Sequence, residues 1–120
     1  MVHARTSKLG RYLVDGSGRT VYLFEKDKNG KSACAGACAK VWSPLTTSSK
    51  PSAGGGVKSA MLSTVKRAGG ALQVVYAGHP LYHYNDDHKP GQMTGEGSTA
   101  FGAGWYVVSP AGAKLEKPGS

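Results

Sequence analysis

A hexapeptide of the form Tyr-x-aromatic-x-x-Asp occurs twice. Tyr22, Phe24 and Asp27 form it in TVYLFEKD, and Tyr82, Tyr84 and Asp87 in PLYHYNDD, a shift of 82 − 22 = 60 residues. In each copy the aromatics stand two apart, so an extended strand points both to one face. The Asp falls just past each strand, before KNG and before HKPG. There a carboxylate accepts backbone N–H groups and fixes a turn. The motif therefore reads as structure: two core aromatics and one turn-organising carboxylate, used twice. Neither half holds enough apolar residues to stand alone, so the two must pack together.

The flanking sequence repeats too. RYLVDGSGRTVYLF reads as two strands joined by Asp15-Gly16-Ser17-Gly18, and LQVVYAGHPLYHY offers the same device with Ala77-Gly78 at its corner. The 60-residue shift matches Gly18 with Gly78, Val21 with Leu81 and Tyr22 with Tyr82. After each Asp an irregular, Gly-rich passage runs to a Trp, Trp42 and then Trp105, 105 − 42 = 63 residues apart. The run GEGSTAFGAG reads as a flexible loop, because a nucleotide-binding loop would need a strand before it and a helix after it. Residues 46–56 are a linker by composition. The expected organisation is a polar lead-in over 1–7, one domain over 8–110 with repeats at 10–45 and 71–110, and a loose tail over 111–120. The expected fold is mainly β, two tandem hairpin-based repeats sharing one small core, with a short helical turn around the Cys pair.

Eighteen glycines and a 39% hydrophobic content favour short strands and many turns over a helical bundle. Ten aromatics (six Tyr, two Trp, two Phe) have to fill much of the interior. Net charge is +8, unevenly placed. Residues 1–50 hold nine cations against Asp15, Glu25 and Asp27, a net of +6, and residues 51–120 hold six against four, a net of +2. A basic first half, with Lys26, Lys28 and Lys31 clustered beside the first hexapeptide, favours anionic partners, although net charge speaks to solubility first. No nucleic-acid-binding motif accompanies it, so no nucleic acid is expected. The opening MVHARTSKLG has no apolar segment of the kind a secretory leader carries.

The tandem Tyr-x-aromatic-x-x-Asp segments, CAGACAKVW after the first and GWYVVSP after the second together resemble the bacterial secreted-repeat lipoproteins. The resemblance covers roughly residues 10–110. It implies export, attachment of a precursor to the membrane through a lipidated Cys, and a cell-envelope or secreted setting. It implies no activity. The lipidated Cys is not in this chain, and the histidines of GHPLYHYNDDH lie outside the shared pattern.

In an exported protein the close pair Cys34 and Cys38 suggests a disulfide. On a regular helix residues four apart hold their Cβ atoms about 5–6 Å from each other, whereas a disulfide wants about 3.5–4.5 Å. Gly36 between them offers the break that closure needs. Free buried thiols and a metal or redox pair are the alternatives. A second constellation, His83, His88 and Met93, combines imidazole and thioether and so suits copper. Yet His83 alternates with Tyr82 and Tyr84, which points it to solvent, and exposed turn histidines explain the same residues. No catalytic motif is present, and Glu25, Glu96 and Glu116 are scattered.

The expected function is thus a non-catalytic exported envelope module without a cofactor, binding an anionic envelope polymer or another envelope protein through Lys26, Lys28 and Lys31. The alternative is a copper- or haem-associated redox accessory using His83, His88, Met93 and the Cys pair.

Overall fold

The computed structural model describes residues 2–7, 10–28, 30–67 and 69–115. The chain runs through β1 (Val2–Ser7), β2 (Gly10–Asp15), β3 (Tyr22–Phe24), α1 (Ala37–Val41), β4 (Trp42–Pro44) and the short β5 (Thr46–Thr47). A 3-10 turn at Ser59–Met61 leads into β6 (Leu62–Lys66), β7 (Leu72–Tyr76), β8 (His79–Pro80) and β9 (Tyr82–Tyr84). Another at Ala100–Gly102 precedes β10 (Trp105–Val108) and β11 (Lys114–Leu115).

Each repeat opens with an antiparallel pair. β1 lies beside β2 from Val2↔Asp15 to Ser7↔Gly10, and β6 beside β7 from Leu62↔Tyr76 to Lys66↔Leu72. The hairpin turns follow where Gly was expected to admit them, with φ of 89° at Gly18 and 83° at Gly78. Past the turn the chain makes one short bridge back, Val14↔Thr20 in the first repeat and Val75↔Pro80 in the second. It then departs into the hexapeptide strand.

The Trp strands are exchanged between repeats. β4 pairs with β9 (Trp42↔Tyr84, Pro44↔Tyr82), while β10 pairs with β3 (Trp105↔Phe24, Val107↔Tyr22). β3 and β9 meet antiparallel at Tyr22↔Tyr82, giving a five-stranded sheet in the order β11-β10-β3-β9-β4. The sheet is buried on both sides. Tyr22, Leu23 and Phe24 are all inaccessible, Tyr22 and Phe24 in an aromatic cluster and Leu23 in an aliphatic one with Leu13, Leu62, Val74 and Leu81. Each such side chain contributes about 1.5–3 kcal/mol on burial, and both repeats supply residues to both clusters.

Four boundaries differ from the sequence reading. Residues 2–7 are not a lead-in but β1. Val2 at its start is buried at 1% exposure, and the strand's backbone supplies β2 with its only partner strand among the described residues. The 46–56 linker is docked: β5 pairs with β7, and Val2 and Ala4 donate their N–H groups to the carbonyls of Ser52 and Gly55. Of the tail, Lys114 and Leu115 pair with β10, and residues 116–120 lie outside the described residues. The Gly-rich loop before Trp105 is bound to the sheet. Gly97 N–H donates to Trp105 O and Trp105 N–H to Ser98 O, both at 2.8 Å. These passages read as free because their polar composition hides backbone pairing.

Candidate functional site

The two hexapeptides are bonded to each other. Tyr22 donates its hydroxyl to Asp87 Oδ2 at 2.6 Å, and Tyr82 donates to Asp27 Oδ2 at 2.7 Å. The remaining oxygens hold the turns, as expected: Asp27 Oδ1 accepts from Ala33 N–H at 2.6 Å and Asp87 Oδ1 from Thr94 N–H at 2.9 Å. Burial, reinforced by the carboxylate partner, pushes both phenols well above the ordinary tyrosine range. Burial also raises Asp27, against the opposing hydrogen bonds from Tyr82 and Ala33. The two phenols are fixed donors at neutral pH, suited to holding the repeats together.

The second aromatics build a ladder. Phe24 stacks on Trp105 at 3.9 Å, Trp105 on Trp42 at 3.9 Å, and Trp42 on Tyr84 at 4.3 Å between ring centroids. Tyr22 and Tyr82 close its flanks edge-on, at 5.3 Å to Trp42 and 5.1 Å to Trp105. Gly95 lies against the ladder, and a Cβ there would sit 2.5 Å from Trp42 Cη2. The symmetry breaks at the indole nitrogens. Trp105 donates to Ala100 O at 2.8 Å, whereas buried Trp42 Nε1 has no acceptor among the described residues.

Cys34 and Cys38 are joined, with α1 beginning after Gly36, whose positive φ of 60° breaks the chain path as anticipated. Beside this bridge lies a cavity of about 380 Å³ lined by Lys31, Ser32, Cys34, Val65, Lys66 and Arg67, among others. Arg67 is held by neutral acceptors. Its Nη1 donates to Ser32 Oγ at 2.9 Å and to Gln73 Oε1 at 2.8 Å, and its Nη2 to Cys34 O at 2.8 Å. Gln73 is fully buried and is itself fixed by donating Nε2–H to Leu81 O at 2.8 Å. Ser32 Oγ is 2.5 Å from Tyr82 Oη, so the basic cavity is tied to the Tyr82–Asp27 pair.

His83 does not face solvent. It points away from the aromatic cluster, as alternation requires, but the Asp15 turn of the other repeat covers it. Its Nε2 lies 2.7 Å from Asp15 Oδ2, with 14% of each side chain exposed. Burial outweighs the pull of the carboxylate and lowers the His83 pKa below its ordinary value. His88 is exposed, its N–H donating to Gln92 Oε1, while Met93 packs on the aromatic cluster. Among the described residues no group of three His, Cys, Asp or Glu side chains is placed to hold a metal ion, and the copper or haem reading finds no support. Lys26, Lys28 and Lys31 are exposed, with Lys31 N–H donating to Lys28 O at 3.0 Å. Of these three, Lys31 reaches the basic cavity. Sequence reasoning missed Lys66, Arg67 and Gln73. Comparing the repeats at the 60-residue shift would have exposed them, since Thr6, Ser7 and Leu13 stand at the matched places.

A family model described as a secreted repeat of unknown function matches residues 3–46 and again residues 63–109. The chain belongs to this family. Both matches to the secreted repeat begin earlier than the hexapeptide pattern implied, so they include β1 and β6, which carry no part of the motif. Membership in a secreted family places the chain outside the cytoplasm, where a bridge such as Cys34–Cys38 persists. No curated protein and no solved structure matches the chain.

Proposed function

We propose that the chain is a non-catalytic module of the cell envelope that holds an anionic polymer through the basic face of its first repeat. One observation carries this reading. Lys26, Lys28 and Lys31 project from one turn, all exposed, and among the described residues none of them is in an ion pair. Like charges crowded on a turn repel one another unless an external polyanion relieves them. The net charge of +8 adds a field that draws such a polymer in.

The test is retention on an immobilised poly(glycerol phosphate) column as salt is raised. Binding should be firm at low ionic strength and vanish by about 0.5 M salt, where the screening length has fallen to roughly 4 Å. Joint replacement Lys26→Glu, Lys28→Glu and Lys31→Glu should weaken it by more than about tenfold. Retention that survives both treatments would remove the proposal.

A further inference from the structure

The basic cavity is more specific than a charged surface. Arg67 has five N–H donors, of which three are taken by Ser32, Gln73 and Cys34 O, leaving 5 − 3 = 2. Ser32 Oγ and Cys34 O lie 3.3 Å from each other, so the adjacent hydrogens of Nη1 and Nη2 meet them as a pair. The second Nη1 hydrogen goes to Gln73. What remains is Nε–H with the outer Nη2 hydrogen, the edge of the fork that matches two oxygens of an oxyanion. Among the described residues no carboxylate lies within ion-pair distance of Arg67.

The other repeat serves as an internal control. Register matches β1 to β6 with a shift of 60, which puts Ser7 where Arg67 stands and Thr6 where Lys66 stands. Cross-strand register (Arg5↔Tyr12 against Val65↔Gln73) puts Tyr12 in the place of buried Gln73, one residue off the shift of 60, and the shift of 60 sets Gly91 against Lys31. The fold is therefore built at the matched positions with neither the cations nor the buried amide. Holding Arg67 in place needs Gln73, a polar side chain with 0% exposure in a β-strand core, and burying such a group is tolerated only when it is bonded. Three cations around about 380 Å³, with Cys34 of the disulfide and Val65 as an apolar wall, fit an anion of more charge and more oxygens than a carboxylate.

We infer that the cavity between Lys31, Lys66 and Arg67 is a subsite for one phosphate-type oxyanion, Arg67 gripping two oxygens and the lysines facing the others. Its role as the anchor of a polymer rests on the polyanion reading above; its affinity for phosphate does not. The chemistry is shared by free phosphate and by a phosphodiester link.

The experiment titrates the intact protein with inorganic phosphate, glycerophosphate and a glycerophosphodiester, following the Arg67 Nε–H resonance by NMR. Lys66→Thr, which installs the residue of the other repeat, and Arg67→Lys, which keeps the charge without the fork, should each weaken glycerophosphate about tenfold. Lys89→Glu, at an exposed charge outside both the cavity lining and the Lys26–Lys31 turn, should leave that affinity within about twofold. An Arg67 resonance that no phosphate probe moves, or undiminished affinity in the folded Lys66→Thr protein, overturns the inference. Equal binding of poly(glycerol phosphate) by wild type and Lys66→Thr would remove the subsite's role as the polymer's anchor yet spare the polyanion reading. Glycerophosphate bound at Arg67 with no retention of the polymer would remove the polyanion reading yet spare the phosphate subsite. Diester binding supports a polymer anchor, and binding of inorganic phosphate alone identifies a free-phosphate site.

Discussion

The Tyr–Asp pairs explain why the hexapeptide carries both residues: each Asp closes its own turn with one oxygen and grips the opposite repeat with the other. Tyr22→Phe leaves the Asp87 carboxylate short of a donor and should cost about 1–3 kcal/mol in urea unfolding. A double-mutant cycle of Tyr22→Phe with Asp87→Asn should return at least about 0.5 kcal/mol of coupling between residues 65 apart in sequence. Additive effects would mean the contact contributes nothing. The indoles give a matched comparison, since Trp→Phe removes the same atoms from two fully buried sites. Trp42→Phe deletes a buried N–H that has no acceptor among the described residues, while Trp105→Phe deletes one bonded to Ala100 O. Trp105→Phe should therefore be the more destabilising, by about 1–3 kcal/mol. His83 sets the acid limb. Its folded pKa lies below its unfolded value of 6.5, so its stabilisation is full above that value and is lost as pH falls through the folded pKa. Asp27, raised on folding, acts in the opposite sense, its contribution present below 3.8 and lost as pH rises. Asp15 is lowered, hydrogen bonds from Ser17, Arg19 and His83 outweighing its burial, so its contribution is lost only beneath 3.8. A drop in Tm between about pH 7 and pH 5 is thus assigned to His83, and His83→Gln should flatten it.

At the scale of elements, the Cys34–Cys38 bridge spans only four positions and clips the segment ahead of α1. On a chain-entropy account a five-residue ring contributes about 2 kcal/mol. The double replacement Cys34→Ser, Cys38→Ser should lower stability by that order, with the aromatic near-UV signal intact; loss of the signal would make the bridge essential to the ladder. This element was half legible in sequence. The pair, its closeness and the break at Gly36 could be read locally, but the cavity against it could not. Arg67 reaches Ser32 and Cys34 O across more than thirty residues, and a turn-flanking Lys-Arg reads as solvent-facing until register is known. The strand faces of Tyr22, Phe24, Tyr82 and Tyr84 were readable because alternation is local. β1 was not, because a short polar strand is defined by the partner it pairs with. Likewise His83 was placed on the correct face of its strand, but what covers that face comes from the Asp15 turn in the other repeat.

Across the whole molecule, strand exchange is the decisive feature and the one that periodicity hides completely. Duplication of a unit suggests two self-contained halves side by side. Instead β4 completes the edge of β9 and β10 flanks β3, so each repeat's hexapeptide strand takes its Trp strand from the other repeat. The Phe24–Trp105–Trp42–Tyr84 ladder alternates between repeats, as do the Tyr–Asp bonds. All three stacked aromatic pairs are therefore between halves, and unfolding should be one cooperative transition. Fragments 1–49 and 50–120, divided where residues 48–50 are exposed, test this directly. Each fragment alone leaves a hexapeptide strand without its Trp partner and should lack the near-UV circular dichroism of stacked indoles. Mixed, they should regain it with second-order kinetics and denature together at a concentration-dependent midpoint. A native-like signal from fragment 1–49 by itself would show that the first repeat closes its own core, and that the exchange adds to stability without being required for the fold.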